Sequence, residues 1–190
     1  KGVKAGVIQG WGWLAHHTGG LGRRAQYSVA PTLDELLDAQ DAMQADDDPK
    51  TEKLAKEFSA ICRSHQDYIW ERLSGSSGDT RGTALFSVYY VCDETREKRA
   101  DEIFEKDFAP IFDKFVADGK ITNLGWNSHW VGGKYRRLQT VSGMNHKSLL
   151  AARGELITAM YGDDNEAGKE FTSICGSHKD CMWDMQLATP

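Results

Sequence analysis

Residues 56–70 read KEFSAICRSHQDYIW, and residues 169–183 read KEFTSICGSHKDCMW. Nine of the fifteen positions are identical, and the two stretches lie 113 residues apart. Extending that displacement in both directions lays residues 1–73 on 114–186 without a gap. Gly12-Trp13 falls on Gly125-Trp126, His16 on His129, Gly19-Gly20 on Gly132-Gly133, Arg23-Arg24 on Arg136-Arg137, Gln26 on Gln139, and Leu36-Leu37 on Leu149-Leu150. Identities reach 24 in 73 positions, where ordinary composition gives about 4 or 5 by chance. This reads as a tandem duplication. Residues 74–82 (SGSSGDTRG) have the composition of a flexible linker. The domain reading is therefore an incomplete repeat over 1–73, a linker over 74–82 and a complete repeat over 83–190.

The complete repeat supplies the element order. Residues 83–92 (TALFSVYYVC) are β-branched and aromatic, which predicts a strand. Ile103, Phe104, Phe108, Ile111, Phe112 and Phe115 recur at helical spacing over 95–117, with Pro110 set to kink or interrupt the helix and Asp118-Gly119 to end it. Lys120 to Val131 reads as a strand, Gly132-Gly133 as a tight turn and Tyr135 to Val141 as the hairpin partner. Asn145 is a plausible N-cap for a helix carrying Leu149, Leu150, Ile157 and Met160. A polar loop from Gly162 to Gly168, a short helical turn from Lys169 to Cys175 and a strand from Cys181 to Leu187 close the repeat. The order is β-α-β-β-α-β, the ferredoxin-like arrangement. Because Lys1 aligns with Lys114, Val3 with Val116 and Gly6 with Gly119, the first repeat is expected to lack its first strand and most of its first helix. In a sheet of strand order 4-1-3-2, the strands near Tyr27 and Trp70 would then face each other across an unfilled position. The segment is expected either upstream in a longer chain or as a strand donated by another copy.

The chain has 190 residues, 40% hydrophobic and 27% charged, with mean hydropathy −0.53. That composition can bury a core and excludes a disordered tail. A formal charge of −5 argues against nucleic acid as a partner. The longest apolar stretch, Leu85 to Cys92, is far too short to span a membrane as a helix.

Two ferredoxin-like repeats joined by a short linker resemble the dimeric α/β-barrel superfamily, in a form with both halves of the barrel on one chain. That superfamily includes antibiotic-biosynthesis monooxygenase-like, EthD-like, NIPSNAP-like and heme-degrading proteins. The resemblance implies an α+β protein with helices on one face of each sheet and a ligand cavity between the other faces. The functional expectation is binding of a small aromatic or anionic molecule in a Trp/His-lined cavity, and the resemblance implies monooxygenase- or isomerase-like chemistry there. A different class, a structural or assembly subunit, is implied by the incomplete first repeat, with a homo-oligomer or a donated strand as partner.

Candidate site residues cluster in one strand of each repeat. Alternation puts Trp13, Ala15 and His17 on one face with Trp126, Ser128 and Trp130 as their twins, and Leu14 and His16 on the other with Asn127 and His129. His16 and His129 could act as bases in a shared cavity, or could be hydrogen-bonded strand residues beside an aromatic core. Trp13, Trp126 and Trp130 would shape the pocket. Arg24 and Arg137, of the arginine pairs after the Gly-Gly turns, could bind an anionic ligand bidentately, although adjacent strand positions face opposite ways and one of each pair would be solvated or paired to a helix.

The motif Ile-Cys-x-Ser-His-x-Asp-x-x-Trp occurs at 61–70 and 174–183. Its Cys and His could share a metal or support thiol chemistry, but it lacks the second close ligand pair of zinc motifs. The simpler reading is a helix-to-strand corner in which Ser64, Asp67, Ser177 and Asp180 satisfy turn amides. No metal site is assigned. Four cysteines do not make a disulfide scaffold. One bridge is expected, Cys92 to Cys181, with Cys175 the rival partner. A bridge would favour an exported protein and free thiols a cytoplasmic one. No phosphate loop, Rossmann fingerprint, nucleophile elbow or zincin motif is present, so no cofactor is named. The acidic run Asp46-Asp47-Asp48 reads as a solvated loop.

Overall fold

A computed structural model describes residues 6–20, 22–45, 48–62, 64–162 and 164–189. The sequence readings at Lys1, Val3, Asp46 and Asp47 lie outside them. The chain divides into two compact units, residues 1–15, 22–66 and 186–190 in one and residues 16–21 and 67–185 in the other.

The larger unit is built on antiparallel strands. These are β3 (Ile69–Ser77), β4 (Ala84–Val91), β5 (Asn123–Val131), β6 (Arg137–Gly143) and most of β7 (Ser177–Ala188), in the order β7-β4-β6-β5-β3. β4 lies between two strands and is apolar at nearly every position, as a strand buried on both faces must be. Four helices cover the face carrying Phe86, Val88 and Tyr90. They are α3 (Glu97–Ile103), α4 (Ala109–Ala117), α5 (His146–Tyr161) and α6 (Glu166–Ile174). The core they enclose is aromatic: Phe104, Phe108, Phe112 and Phe171 are each 1% exposed. Asn145 caps α5 as expected, its side-chain oxygen accepting from the Ser148 amide at 2.9 Å.

The helix is interrupted, as expected, just ahead of Pro110. A π turn, Phe104–Phe108, joins α3 to α4. Its wider ring carries the proline's missing donor, where a regular turn would press the pyrrolidine against the carbonyl four residues back.

Three sequence expectations are corrected. β7 starts at Ser177, four residues earlier than expected, and Tyr90 lies opposite His178. Ser177 and Asp180 are therefore strand residues, and Asp180 accepts from Arg153 at 3.0 Å instead of satisfying a turn. The same register places Cys92 beside Cys175, whose Cα lies 4.0 Å away, and these two form the disulfide. Cys181 sits opposite Ser87, deep in the ladder, as an unpaired thiol. Finally, β3 does not face an unfilled position: it pairs with β5 from Ile69↔Val131 to Ser77↔Asn123. Ser74–Ser77, which read as linker, are the end of that strand. The small side chains suit the site, since a Cβ on Gly75 would sit 2.4 Å from the Leu124 carbonyl oxygen.

The smaller unit holds β2 (Arg24–Val29), α1 (Leu33–Gln44), α2 (Pro49–Ile61) and most of β1 (Gly10–Thr18). β1 and β2 form a hairpin from Gly10↔Val29 to Ala15↔Arg24. Thr32 and Glu35 make a reciprocal cap on α1: the threonine hydroxyl accepts from the Glu35 amide and donates to its carboxylate at 2.7 Å. Asp48 caps α2 with Pro49 in its first turn. No residue of α2 is buried.

Candidate functional site

Alternation along β5 turns Trp126 toward the helices and His129 toward the other face. Trp126 is core: it stacks on Phe104 at 4.1 Å with the rings nearly parallel, and its indole N–H donates to Asp101 at 3.0 Å. Arg137 is buried beside it. Its guanidinium donates to both Asp101 oxygens at 2.6 Å and to Glu97 at 3.0 Å. Those hydrogen bonds and charges hold its pKa up against the cost of burial. Three of its five donors thus serve α3, a structural clamp.

Arg136 connects that clamp to the opposite face. It bridges Glu97 at 2.5 Å and donates through Nη1 to His129 Nδ1 at 3.0 Å. Arginine is an obligate donor, so Nδ1 accepts and the neutral ring carries its proton on Nε2. That Nε2 is buried with no hydrogen-bond partner among the described residues. It lies in a group of rings, with Trp70 and Tyr68 edge-on at 5.9 and 6.1 Å. Tyr68 stacks on Trp70 at 5.0 Å and tilts toward Tyr135, which meets Tyr89 at 5.4 Å. Burial, above all, pushes the Tyr89 phenol up to about 12, so it stays a neutral donor. The turn beyond β5 needs its glycines: Gly132 has φ +140°, and a Cβ there would strike the Tyr68 ring at 2.4 Å.

At the equivalent position His16 is edge-on to Trp183 at 6.1 Å, but its Nε2 meets the Gly19 carbonyl at 2.6 Å. Cys181 stands where Tyr68 stands in the other group. The two histidines are not alike: His16 is satisfied and His129 is not.

The remaining expected site residues are elsewhere. Trp130 is 54% exposed and donates to Glu71 at 3.0 Å. Trp13 packs on Phe58 of α2 at 6.0 Å, and Arg24 is exposed and donates to the Arg23 carbonyl. Tyr68, Trp70, Tyr89, Tyr135 and Arg136 were missed from sequence. The alternating Tyr68-Ile69-Trp70 was visible, but nothing local said that β3 lies beside β5.

A second cluster joins His17 of β1, His146 of α5 and Asp184 of β7, residues with no shared sequence motif. Asp184 bridges His146 Nε2 at 2.7 Å and His17 Nδ1 at 3.5 Å, and the two imidazoles stack at 3.9 Å. The His146 hydrogen bond holds the Asp184 carboxyl below its usual range. These three residues could reach one metal ion. A ligating histidine needs its other N–H held by an acceptor, and His146 Nδ1 is buried without one. No metal is assigned to the cluster, which is held together by the Asp184 carboxylate and the stacked rings. On the helix side, a void of about 20 Å³ lined by Phe86, Phe112, Gln139, Leu149 and Met160 has room for one water.

No protein-family model matches the chain, and no curated protein does. Three crystal structures are similar to it in fold. An "anthrone oxidase-like protein" matches over 99% of this chain and 82% of its own, with TM-score 0.55 and 12% identity. A "putative monooxygenase" from Fusobacterium nucleatum matches over 97% and 80%, with TM-score 0.55 and 10% identity. A second from Lactobacillus acidophilus matches over 98% and 82%, with TM-score 0.56 and 7% identity. At such identities the likeness establishes the fold alone, a mixed α+β protein on antiparallel strands shared with structures named as oxidase-like and monooxygenase.

Proposed function

We propose that the protein binds a flat aromatic ketone or phenol against the Tyr68–Trp70–Tyr135 rings and polarises its oxygen through His129. The carrying observation is the buried, unpartnered Nε2 of His129, with its tautomer set by Arg136. A buried donor without an acceptor is costly, and a ligand oxygen would remove that cost. In this tautomer His129 enters as a hydrogen-bond donor to a ketone or its enolate, where the residue type alone suggested a base. The names of the similar folds make oxygen transfer to such a ligand the first reaction class to examine, with enolate isomerisation next. We place the site on one of two tandem ferredoxin-like repeats. The strand order β7-β4-β6-β5 supports this, as do the spans of β1 and β5, 10–18 and 123–131, displaced by the same 113 residues.

Anthrone, a three-ring ketone with an acidic CH₂, is the probe. It should quench tryptophan fluorescence in the wild type, and Trp70→Phe should remove most of that quench. His129→Phe keeps a ring and loses the donor, so binding should weaken about tenfold, the worth of one buried hydrogen bond. Oxygen uptake in an electrode tests turnover. Equal affinity for wild type and His129→Phe would sink the reading. An assembly role is favoured by a different observation, the exposed Leu54, Phe58 and Ile61 of α2.

A further inference from the structure

Five residues are identical in the two copies and sit in opposite surroundings. Trp126, Arg137, Phe171, Ile174 and Cys175 are 1–4% exposed. Their counterparts are Trp13, Arg24, Phe58, Ile61 and Cys62. Phe58 is 49% and Ile61 81% exposed, Arg24 is exposed, Trp13 is half-buried and Cys62 is an unpaired thiol. Residues 84–113 make the difference. Phe104 stacks on Trp126, Asp101 takes Arg137, Phe108 meets Phe171 at 5.2 Å, and Cys92 is bonded to Cys175.

The uncovered surface of the smaller unit holds its equivalent ring pair at the same spacing as the covered one. Trp13 meets Phe58 at 6.0 Å, and Trp126 meets Phe171 at 5.9 Å. β6 carries β5 on one side and β4 on the other, whereas among the described residues β2 pairs with β1 alone. Gly119, which terminates α4, has φ +69°, and Gly6 has φ +74°. A left-handed glycine of this kind is the common stop of a helix.

We infer that the smaller unit is a receiving surface for one strand–helix segment built like residues 84–113, belonging to the same polypeptide and entering β1 through Gly6. Its strand extends β2 as β4 extends β6. Its helix lays an aromatic row on Trp13 and Phe58 and presents a carboxylate to Arg24, and a cysteine at the strand's end reaches Cys62. Another copy of residues 1–190 cannot supply it, because each carries one such segment, already seated on its own α6. The apolar row on α2 is thus the inner face of an interface, and edge pairing plus aromatic burial is what it selects.

The test adds a duplicate of residues 83–113 directly ahead of residue 1, which reproduces the native Asp113-Lys114 joint. In oxidising buffer, non-reducing peptide mapping should find Cys62 bonded to the added copy of Cys92, and thermal unfolding should shift up by roughly 5–10 °C. Phe58→Asp should cancel both. A synthetic 83–113 peptide, added to the unfused protein in air-saturated buffer where dissolved oxygen takes the two electrons of the thiol pair, is the second measurement and should give a one-to-one mixed disulfide at Cys62. If the added segment stays protease-sensitive and Cys62 stays a thiol, or if Phe58→Asp changes nothing, the inference fails. Capture of the peptide without capture of the fused segment would overturn the same-chain source.

Discussion

Arg137 and Arg24 occupy equivalent strand positions, and their neighbours give them different work. Arg137 neutralises Glu97 and Asp101 under the α3 helix, with its side chain 4% exposed. Removing one member of a buried ion pair leaves the other charges uncompensated, a cost of about 3–5 kcal/mol. Arg137→Met should show a loss of that size in urea unfolding, and adding Asp101→Leu should recover part of it. The matching change at Arg24, which is exposed, should move stability by less than about 0.5 kcal/mol. Sequence pattern made both arginines visible and left one of each pair either solvated or paired to a helix. It could not say that Glu97 and Asp101 do the pairing, because those partners lie 40 and 36 positions away. His129 has the same history: the strand and its face were legible, while Arg136 as the tautomer's keeper and the rings of β3 were not.

At the scale of elements, β7 shows how a polar run can conceal a strand. Ser177-His178-Lys179-Asp180 looks like a loop, yet it continues the ladder opposite Val88 to Val91, with half-exposed side chains. The four-residue error moved the expected cystine partner from Cys175 to Cys181. The bond that forms closes 83 residues, and a loop of that length constrains the unfolded chain by about 4.5 kcal/mol on a chain-entropy account. Cys175→Ser should therefore cost about 2–5 kcal/mol in denaturant unfolding, and Cys181→Ser, with no bridge to lose, should cost less. Equal losses in the two variants would mean that burial of sulfur, not the bridge, is what matters.

Across the molecule, local periodicity made the order of strands and helices legible, whereas the pairing of β3 with β5 joins residues 46 to 62 positions apart and left no local mark. The titration behaviour also belongs to this scale. Tyr89 ionises near 12 when folded and near 10 when unfolded. Its contribution is fully present below pH 10 and is lost as the pH rises toward 12, by about 2–3 kcal/mol. Tyr89→Phe should flatten that alkaline decline; an unchanged pH–stability curve would show that the phenol is not protected. The π turn reaches furthest beyond this one chain. It spends five residues where a regular turn spends four, so the helical segment between β4 and β5 holds one residue more than its length requires. A homologue without the proline could drop that residue and keep Phe112 and Phe115 in phase. Any alignment to such a sequence should open its one-position gap inside residues 104–108, and a gap placed elsewhere would put out of register the residues between it and that turn.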